Sequence, residues 1–488
     1  MDQSPLIDDL RRILGPRGVI ADRTRTSSYE SDGLALLARD PKVVCLPRDT
    51  EQAARTVSYL HRVGLPIVAR GSGTGLTGGA TPIGESAVLS TARMRDVIEL
   101  DPVDRLARVQ AGVVNADLDR AAAKLGLRYA PDPSSQAACT IGGNVANNSG
   151  GPHCFKHGST QRHVLGAMIV LPDGRTLDLT APRLDPDDLD LVGYFVGSEG
   201  TLGLATELTV RLVPSPAVTE TMLAVFRTLD AACDAVAEMI AAGLGPSAIE
   251  ILDRLTIEAV EASVFAAGYP TDADAVVLID VEGGRREVDE VVARCHATLA
   301  DHGAYDQRLA RSEAERALLW AGRKGAFGAM GRIAPDLYVA DAVVPRTRLR
   351  EVVAFTVDVA RELDLRLATV FHAGDGNLHP NICYDRRDPD EVERVLEAGD
   401  RILSRCVEVG GSLSGEHGVG IEKRDHLCQA FDQPSLDAMK RVRRAWDPEG
   451  YWNPGKALPV RACLEIHSSP ARIVDEPLAA HGPRGRVD

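Results

Sequence analysis

A glycine-rich segment directly after a short apolar strand pattern limits the folds that this sequence can adopt. PIVAR (66–70) is typical of a strand, and it continues as Gly71-Ser72-Gly73-Thr74-Gly75-Leu76-Thr77-Gly78. This spacing fits G-x-G-x-x-G, the fingerprint of Rossmann dinucleotide sites. That fold needs a helix directly after the glycines, with its N-terminus at the pyrophosphate. Residues 79–84 read GATPIG and cannot begin a useful helix, so the sequence argues against a Rossmann fold.

The loop can still bind an anion without a helix. Successive backbone N–H groups form an anion-binding nest, and glycine lets the backbone approach a phosphate closely. Arg70, at the strand exit, is a candidate cation or structural anchor. For this loop alone, an ordinary glycine-rich turn remains the alternative. Strand patterns at 43–47 and 66–70, with a helix pattern over 51–63 between them, indicate a β-α-β beginning.

A second stretch, 131–151, is rich in small and hydrogen-bonding residues. It contains Pro133, Ser134, Ser135, Thr140, Gly142, Gly143, Asn144, Asn147, Ser149 and Gly150. A disordered linker can have a similar composition, but this stretch also carries apolar Ile141 and Val145. A turn at 197–200 adds Glu199 and Gly200. The three segments together suggest one extended ligand held by backbone groups.

Histidines and a carboxylate form a second constellation. VFHAGDGNLHPN (370–381) places His372 and His379 seven residues apart, and SGEHGVG (414–420) adds Glu416 and His417. Imidazoles and a carboxylate suit a catalytic divalent metal such as zinc. Each histidine alone is more often a satisfied polar residue, but four such groups in glycine-rich segments favour a site.

A third candidate group lies on a helix pattern over 312–329. Arg323 and Lys324 are neighbours there. An arginine can bind a carboxylate through two parallel hydrogen bonds. The alternative is a solvated Arg–Lys pair on the surface.

Composition bounds the class of protein. At roughly 100–200 residues per domain, 488 residues predict two to four domains. A net charge of −15 argues against a nucleic-acid interface. The N-terminus is not typical of a signal peptide, and no apolar run predicts a membrane span. Nine scattered cysteines without C-x-x-C favour free thiols in the cytoplasm over a disulfide framework, an iron–sulfur cluster or a thiolate zinc site.

Several segments resemble a known superfamily. Residues 69–80, 131–151, 163–174 and 197–212 resemble the FAD-binding domain of the vanillyl-alcohol oxidase/p-cresol methylhydroxylase flavoproteins. FHAGDGNLHPN and SGEHGVGIEKR resemble the C-terminal domain of FAD-linked glycolate oxidases and D-lactate or D-2-hydroxyglutarate dehydrogenases. The resemblance runs from about residue 20 to 460.

This resemblance implies an α+β fold with a two-lobed FAD-binding domain and an α+β cap domain built on an antiparallel sheet. The boundaries it implies are an FAD-binding domain over 1–215 and a substrate domain over 216–425. A C-terminal segment, 426–460, is expected to return to the FAD domain. The polar tail, 464–488, is expected to be mobile.

The resemblance also implies residue roles. FAD is expected along the two loops, with Glu199, Gly200 and Asn453 nearby. No histidine lies between Arg70 and Pro82, where some members link FAD covalently, so non-covalent FAD is expected. Residues matching His372, His379 and Glu416 bind a divalent metal in relatives. Arg323 corresponds to a carboxylate anchor, Asn381 to a substrate contact and His417 to the base. Relatives that take larger diacids carry a lysine in the segment matching 337–341. This chain has no lysine there, so the resemblance favours a small monoacid.

The implied activity is FAD-dependent oxidation of a small 2-hydroxy acid, glycolate favoured, to the 2-oxo acid. Hydride would pass to flavin N5 and the electrons to a non-nicotinamide acceptor. Expected partners are a second flavin-type subunit and an iron–sulfur subunit, with any membrane association arising only through them. D-lactate dehydrogenase is the alternative within the class. A metal-dependent hydrolase using His372, His379 and Glu416, and an inactive FAD-holding subunit, are alternatives from other classes.

Overall fold

The structure of the chain is a computed structural model that describes residues 3–179 and 189–468. Its first elements form a small sheet flanked by helices. They are α1 (Gln3–Leu14), β1 (Val19–Ile20), α2 (Arg23–Thr26), β2 (Val43–Cys45), α3 (Thr50–Arg62), β3 (Ile67–Arg70) and β4 (Ala87–Ser90). The strand order is β1-β2-β4-β3, and β2 and β3 both run parallel to β4.

The predicted β-α-β beginning is confirmed by β2, α3 and β3. The side chain of Asp49 caps α3 by accepting a hydrogen bond from the N–H of Gln52. Ala53, Val57 and Leu60 recur at helical spacing and are buried against the sheet. This packing fixes the exit of β3, from which the glycine-rich loop begins.

The next elements form an antiparallel sheet. They are β5 (Val97–Asp101), β6 (Leu106–Gln110), α4 (Asn115–Ala123), β7 (Leu127–Arg128), α5 (Ile141–Asn147), α6 (Cys154–His157), β8 (Val164–Val170), β9 (Thr176–Asp178), α7 (Leu191–Phe195), β10 (Leu204–Arg211) and β11 (Val213–Pro214). The sheet order is β5-β6-β10-β8-β9. The stretch at 131–151 is not entirely loop, since α5 lies within it. The two glycines in α5 have low helix propensity, so the sequence gives little sign of a helix here. Burial of Ile141 and Val145 in the core outweighs that low propensity.

The remaining elements build a larger sheet covered by helices on both faces. They are β12 (Val218–Phe226), α8 (Leu229–Ala241), β13 (Ala248–Asp253), α9 (Arg254–Glu261), β14 (Ala275–Gly283), α10 (Arg285–Asp301), β15 (Asp306–Leu309), α11 (Glu313–Met330), β16 (Asp336–Val339), β17 (Ala342–Val343), α12 (Leu349–Glu362), β18 (Arg366–His372), β19 (Asn377–Leu378), β20 (Pro380–Tyr384), α13 (Pro389–Glu408), α14 (Leu427–Ala430), α15 (Gln433–Trp446) and α16 (Cys463–Ser468). Its central order is β15-β12-β14-β13-β18, with antiparallel neighbours.

β14 shows why this sheet is buried on both faces. Val277 and Ile279 pack into the core that includes α8, α10 and α12, whereas Val276 and Leu278 pack into the core under α9 and α11. The side chains alternate at the strand period of two. A strand buried on both faces reads as a continuous apolar run, which is what VVLI provides.

The segment after α15 returns to the first sheet, where Trp452 forms a bridge with Ile67. Cys428 and Cys463 form a disulfide that ties α14 to α16, so the free-thiol prediction is wrong for this pair. A separation of 35 residues gives no sequence signal for pairing. Residues 464–468 lie in α16 beside this tether. The expectation that 464–488 form a mobile tail stays a prediction, and residues 469–488 lie outside the described residues.

The α+β class and the antiparallel sheet of the cap are confirmed. The domain boundaries drawn from the sequence stay a prediction. Across the described residues, no helix combines the length and apolar character needed to cross a membrane.

Candidate active site

A cleft of about 480 Å³ opens between the glycine-rich loop, α5 and the loop that follows α13. Most residues predicted to bind the cofactor line it: Arg70, Gly71, Ser72, Gly73, Thr74, Gly75, Leu76, Pro133, Ser134, Ser135, Thr140, Gly142, Gly143, Asn144, Asn147, Ser149, Glu199 and Gly200. Gly78, Gly150 and Asn453 lie outside the lining. Two loops separated by some 60 residues of sequence therefore meet at one cavity.

The glycine-rich loop is shaped by glycines with left-handed backbone. Gly73 has a φ of +73°, and a side chain there would clash with the guanidinium of Arg70. Arg70 donates a hydrogen bond to the carbonyl of Ser31 (Nη1 to O, 2.8 Å) and lies over the ring of Tyr29. Of the two roles predicted for Arg70, these contacts favour the structural anchor.

Buried polar atoms facing this cleft suit a polar ligand. Asn144 is buried and lines the cleft, yet neither of its amide atoms has a hydrogen-bond partner among the described residues. Ser198 also lines the cleft, and its buried hydroxyl likewise lacks a partner within that part of the chain. Buried polar groups are normally hydrogen-bonded. Together with the exposed loop backbone, these atoms fit a large nucleotide cofactor such as FAD.

Glu199 and Asn453 hold the loops of the cleft together. The carboxylate of Glu199 accepts hydrogen bonds from the N–H groups of Val419 (2.8 Å) and Gly420 (2.6 Å). Asn453 donates from Nδ2 to the carbonyl oxygens of Glu199 (2.7 Å) and Gly79 (3.0 Å). Both residues are predicted to bind the cofactor, which stays a prediction, and Glu199 lines the cleft. Their side chains also fasten the surrounding backbone.

The strand register brings the first histidine to a carboxylate. His372 ends β18 and lies directly opposite Glu250 of β13. The His372 Nδ1 and a Glu250 carboxylate oxygen are 2.7 Å apart, and Glu250 is fully buried. This contact turns the His372 Nε2 towards Glu416, 2.9 Å away.

The second histidine follows the same pattern. After a tight hairpin, His379 directs Nε2 at the same Glu416 oxygen (3.2 Å) and Nδ1 towards the buried carboxylate of Asp341 (3.6 Å). Metal-binding histidines usually present their remote nitrogen to a carboxylate, which fixes the ring and raises its basicity. The side chains of His372, His379 and Glu416 thus fit a divalent metal.

Electrostatics in this cluster follow from burial of opposite charges. Burial alone would lower the pKa of His372, but the carboxylates of Glu250 and Glu416 outweigh it and raise that pKa to about 10. Burial would raise the pKa of Glu416, yet the two imidazoles hold it well below its usual range. The anionic carboxylate is the form that binds a metal ion, whereas His372 would have to give up its proton when a metal binds.

His417 lines the cleft beside this cluster. Its ring stacks on His379 with ring centroids 4.9 Å apart. Its carbonyl oxygen accepts hydrogen bonds from Asn147 Nδ2 (2.8 Å), at the end of α5, and from Thr77 Oγ1 (3.3 Å), in the glycine-rich loop. Burial lowers the pKa of His417 to about 4. The imidazole is therefore neutral near pH 7 and able to accept a proton.

Arg323 is not part of a solvated surface pair. It is fully buried on α11, and its Nε and Nη2 bind the carboxylate of Glu250 at 2.6 and 2.5 Å. Nη1 has no hydrogen-bond partner in the described ranges. Arg323 and Asn381 both lie outside the cleft lining. The Oδ1 of Asn381 is buried and similarly unpartnered among the residues the structure describes. Glu250 already occupies Nε and Nη2, so these two nitrogens cannot form a bidentate contact with a substrate carboxylate.

Sequence reasoning missed two groups of residues at this site. One is the pair of buried carboxylates, Glu250 and Asp341, behind the histidines. A charged residue inside the apolar run SAIEILD was the available signal for Glu250. The other is the apolar side of the cleft, which includes Leu204, Ala205, Phe327, Leu337 and Val339. These residues are indistinguishable in sequence from ordinary core.

Comparison with known proteins identifies two matching family models. A model of the FAD binding domain matches residues 41–180, and a model of the C-terminal domain of FAD linked oxidases matches residues 215–457. The glycolate oxidase subunit GlcD of Escherichia coli (strain K12) is 45% identical over 439 residues, which are 90% of this chain and 88% of the relative. GlcD of Bacillus subtilis (strain 168) is 38% identical, over 92% and 96%. A D-lactate dehydrogenase of Anaerostipes hadrus is 30% identical, over 92% and 96%.

Solved structures share the fold at low sequence identity. A substrate-bound p-cresol methylhydroxylase superposes with a TM-score of 0.79 at 16% identity, over 94% of this chain and 97% of that chain. A 4-ethylphenol oxidase from Gulosibacter chungangensis gives 0.77 at 18% identity, over 94% and 98%. The resemblance read from the motifs is confirmed: this chain belongs to the FAD-linked oxidases, as an FAD-dependent oxidoreductase related to the glycolate oxidase subunit GlcD and folded like p-cresol methylhydroxylase.

Proposed function

We propose that this protein oxidises a small 2-hydroxy acid, glycolate first, to the 2-oxo acid with non-covalent FAD and a divalent metal. The observation that carries the proposal is the convergence of His372 Nε2 and His379 Nε2 on one Glu416 oxygen, at 2.9 and 3.2 Å, beside the cofactor cleft. His417 lines that cleft next to them. A redox cofactor and a polarising ion would thus act on one substrate.

The residues divide the chemistry between them. When bound, FAD would take the two electrons as hydride from C2, and the metal would lower the pKa of the substrate hydroxyl. His417, neutral near pH 7, takes the hydroxyl proton as general base. The buried Nη1 of Arg323 is the donor proposed to bind the substrate carboxylate. Asn381, whose Nδ2 donates to the His379 carbonyl oxygen, is proposed as a further substrate contact through its unpartnered Oδ1, which can accept from the substrate hydroxyl. Loss of a hydride from C2 and of a proton from the hydroxyl converts the 2-hydroxy acid to the 2-oxo acid.

Glycolate is preferred over larger acids for two reasons. Relatives named GlcD are more similar in sequence than the D-lactate dehydrogenase relatives. The segment 337–341 also supplies no lysine for a second carboxylate. Since glycolate and lactate differ by one methyl group, discrimination of about 1–3 kcal/mol is the most that a hydrophobic contact supplies.

The absence of a histidine between Arg70 and Pro82 supports non-covalent FAD. The GlcD relatives are named as subunits of glycolate oxidase, which supports an assembly. The resemblance to bacterial glycolate oxidases adds a second flavin-type subunit and an iron–sulfur subunit as the proposed partners. Those partners would carry the electrons onward, and the complex would operate in the cytoplasm. We further propose residues 1–215 with 426–460 as the FAD-binding domain and 216–425 as the substrate domain.

Anaerobic stopped-flow reduction of the flavin by glycolate, D-lactate and L-lactate tests this proposal. Reduction should be fastest with glycolate, should slow after the metal is stripped with a chelator, and should recover on adding zinc. His417→Gln should retain FAD but reduce it at least about 100-fold more slowly, the usual size of general-base catalysis. An unchanged rate of flavin reduction in the metal-stripped protein would contradict a catalytic metal. An unchanged rate in His417→Gln would contradict the role of His417 as general base. A colourless protein that hydrolyses an ester or amide would instead favour the metallohydrolase.

A further inference from the structure

Asp341 lies beneath the loop that carries both Glu416 and His417. It follows β16 and is fully buried. Its carboxylate accepts hydrogen bonds from three consecutive backbone N–H groups, those of Gly415 (3.0 Å), Glu416 (3.2 Å) and His417 (3.2 Å). The Oγ of Ser414 donates a fourth, at 2.8 Å. One carboxylate therefore holds the backbone of three successive residues and the side chain of the residue before them.

A buried lysine completes this arrangement. Lys423 is also fully buried, and its Nζ is 3.1 Å from an Asp341 carboxylate oxygen and 2.6 Å from the Asp341 carbonyl oxygen. Replacing a buried ion pair by apolar groups is often neutral or stabilising. A contribution to stability therefore explains this buried pair poorly. The three N–H groups that point at Asp341 indicate that the pair positions the loop.

The same carboxylate also faces a proposed metal ligand. The Nδ1 of His379 is 3.6 Å from an Asp341 oxygen, while Glu250 occupies the corresponding position behind His372 at 2.7 Å. Asp341 thus lies beside His379 as well as beneath Glu416 and His417. Glu199 holds the other half of the loop, at the N–H groups of Val419 and Gly420.

We propose that Asp341, charge-balanced by Lys423, is a positioning residue that holds Glu416 in reach of the metal and His417 in reach of the substrate. The inference rests on the metal and base roles in the proposed function. It assigns Asp341 no contact with substrate. Its effect passes through the backbone of the 414–417 loop.

The test compares the full-length protein with Asp341→Asn and with the double variant Asp341→Asn/Lys423→Met. The double variant removes the lysine that the single variant leaves buried without a counter-charge, so it separates charge burial from positioning. Asp447→Asn is the matched control, because that buried carboxylate also accepts three backbone N–H bonds, from Gly450 (3.1 Å), Tyr451 (3.2 Å) and Trp452 (2.8 Å), in the segment that returns to the first sheet.

Three quantities are measured: zinc affinity, the FAD-to-protein ratio, and hydrogen exchange of the loop amides. In the double variant zinc affinity should fall about 10–100-fold, the usual effect of losing a group that orients a metal ligand. FAD content should stay at the wild-type ratio. Amides 415–417 should exchange faster, while amides 419 and 420, held by Glu199, keep their protection.

Wild-type zinc affinity and protected 415–417 amides in the double variant would overturn the proposal. An equal loss of zinc affinity in Asp447→Asn would also overturn it, because the effect would then belong to general stability. If the wild-type protein neither binds zinc nor is reduced by glycolate, the proposed function fails. Exchange at 415–417 then still decides whether Asp341 positions this loop.

Discussion

Replacing Glu250 by glutamine should destabilise the protein strongly, because its carboxylate is the counter-charge for a fully buried arginine. Arg323 Nε lies 2.6 Å from this carboxylate and His372 Nδ1 lies 2.7 Å from it. Neither Glu250 nor Arg323 has solvent-exposed side-chain surface. Glutamine has nearly the same shape and keeps one acceptor oxygen, but it leaves the guanidinium without an opposite charge.

The magnitude follows from burial. Removing one partner of a buried ion pair costs about 3–5 kcal/mol, because the remaining charge stays out of water. The Arg108–Glu207 pair has a similar separation, 2.6 Å, but its side chains are 46% and 22% exposed. Glu207→Gln should therefore cost about 0–1 kcal/mol. The two variants should differ by at least about 2 kcal/mol.

Urea denaturation of both variants, followed by tryptophan fluorescence, measures the difference. Glu250→Gln should lower the unfolding midpoint clearly more than Glu207→Gln, with similar dependence on urea concentration. It should also weaken zinc binding, since His372 loses the group that orients it. Equal midpoints for the two variants would refute the reasoning that Glu250 neutralises a desolvated arginine.

Three further predictions follow from the glycines and from the buried acids. Gly73→Ala should lower FAD content, because its φ of +73° costs an alanine about 1–3 kcal/mol, whereas Gly79→Ala, which meets open space in the same loop, should not; absorbance of the purified variants measures the ratio. Gly150→Ala should weaken zinc binding with FAD retained, because the added carbon would lie 2.9 Å from a Glu416 oxygen; zinc titration of the two proteins decides. Burial raises the pKa of Glu282, but an adjacent histidine and arginine outweigh it and lower that pKa to about 2. The stabilising effect of ionised Glu282 is then present above its ordinary pKa of 4.5 and lost as pH falls towards 2. Glu282→Gln should therefore make the urea midpoint fall less steeply between pH 4.5 and 2, and an unchanged dependence of the midpoint on pH would contradict this role of Glu282.

The cofactor cleft could be predicted from sequence because its chemistry is local. Glycine at positions such as Gly73 and Gly78 is required by positive φ, and that requirement is visible without knowing the fold. The absence of a helix after the loop followed from residues 79–84 alone. The histidine cluster was visible for the same reason, since His372 and His379 flank one short hairpin.

The supporting residues could not be predicted, because their roles depend on distant pairing. Glu250 lies opposite His372 through a register between strands 122 residues apart in sequence. Asp341 meets Glu416 and His417 only after β16 and the loop behind α13 come together. For Arg323 the residue was identified, but its buried partner was not, and the partner changes what the guanidinium can offer a substrate.

FAD-dependent oxidation of glycolate is tested by the visible spectrum of the purified protein before and after anaerobic addition of glycolate. The protein should be yellow, and its flavin band should be bleached by glycolate and restored by an artificial electron acceptor. Acid precipitation should then release the FAD into the supernatant, as expected for non-covalent binding. A yellow protein that glycolate and both lactates leave unchanged would contradict the proposed substrate class, and a colourless protein that FAD cannot reconstitute would contradict the cofactor site itself.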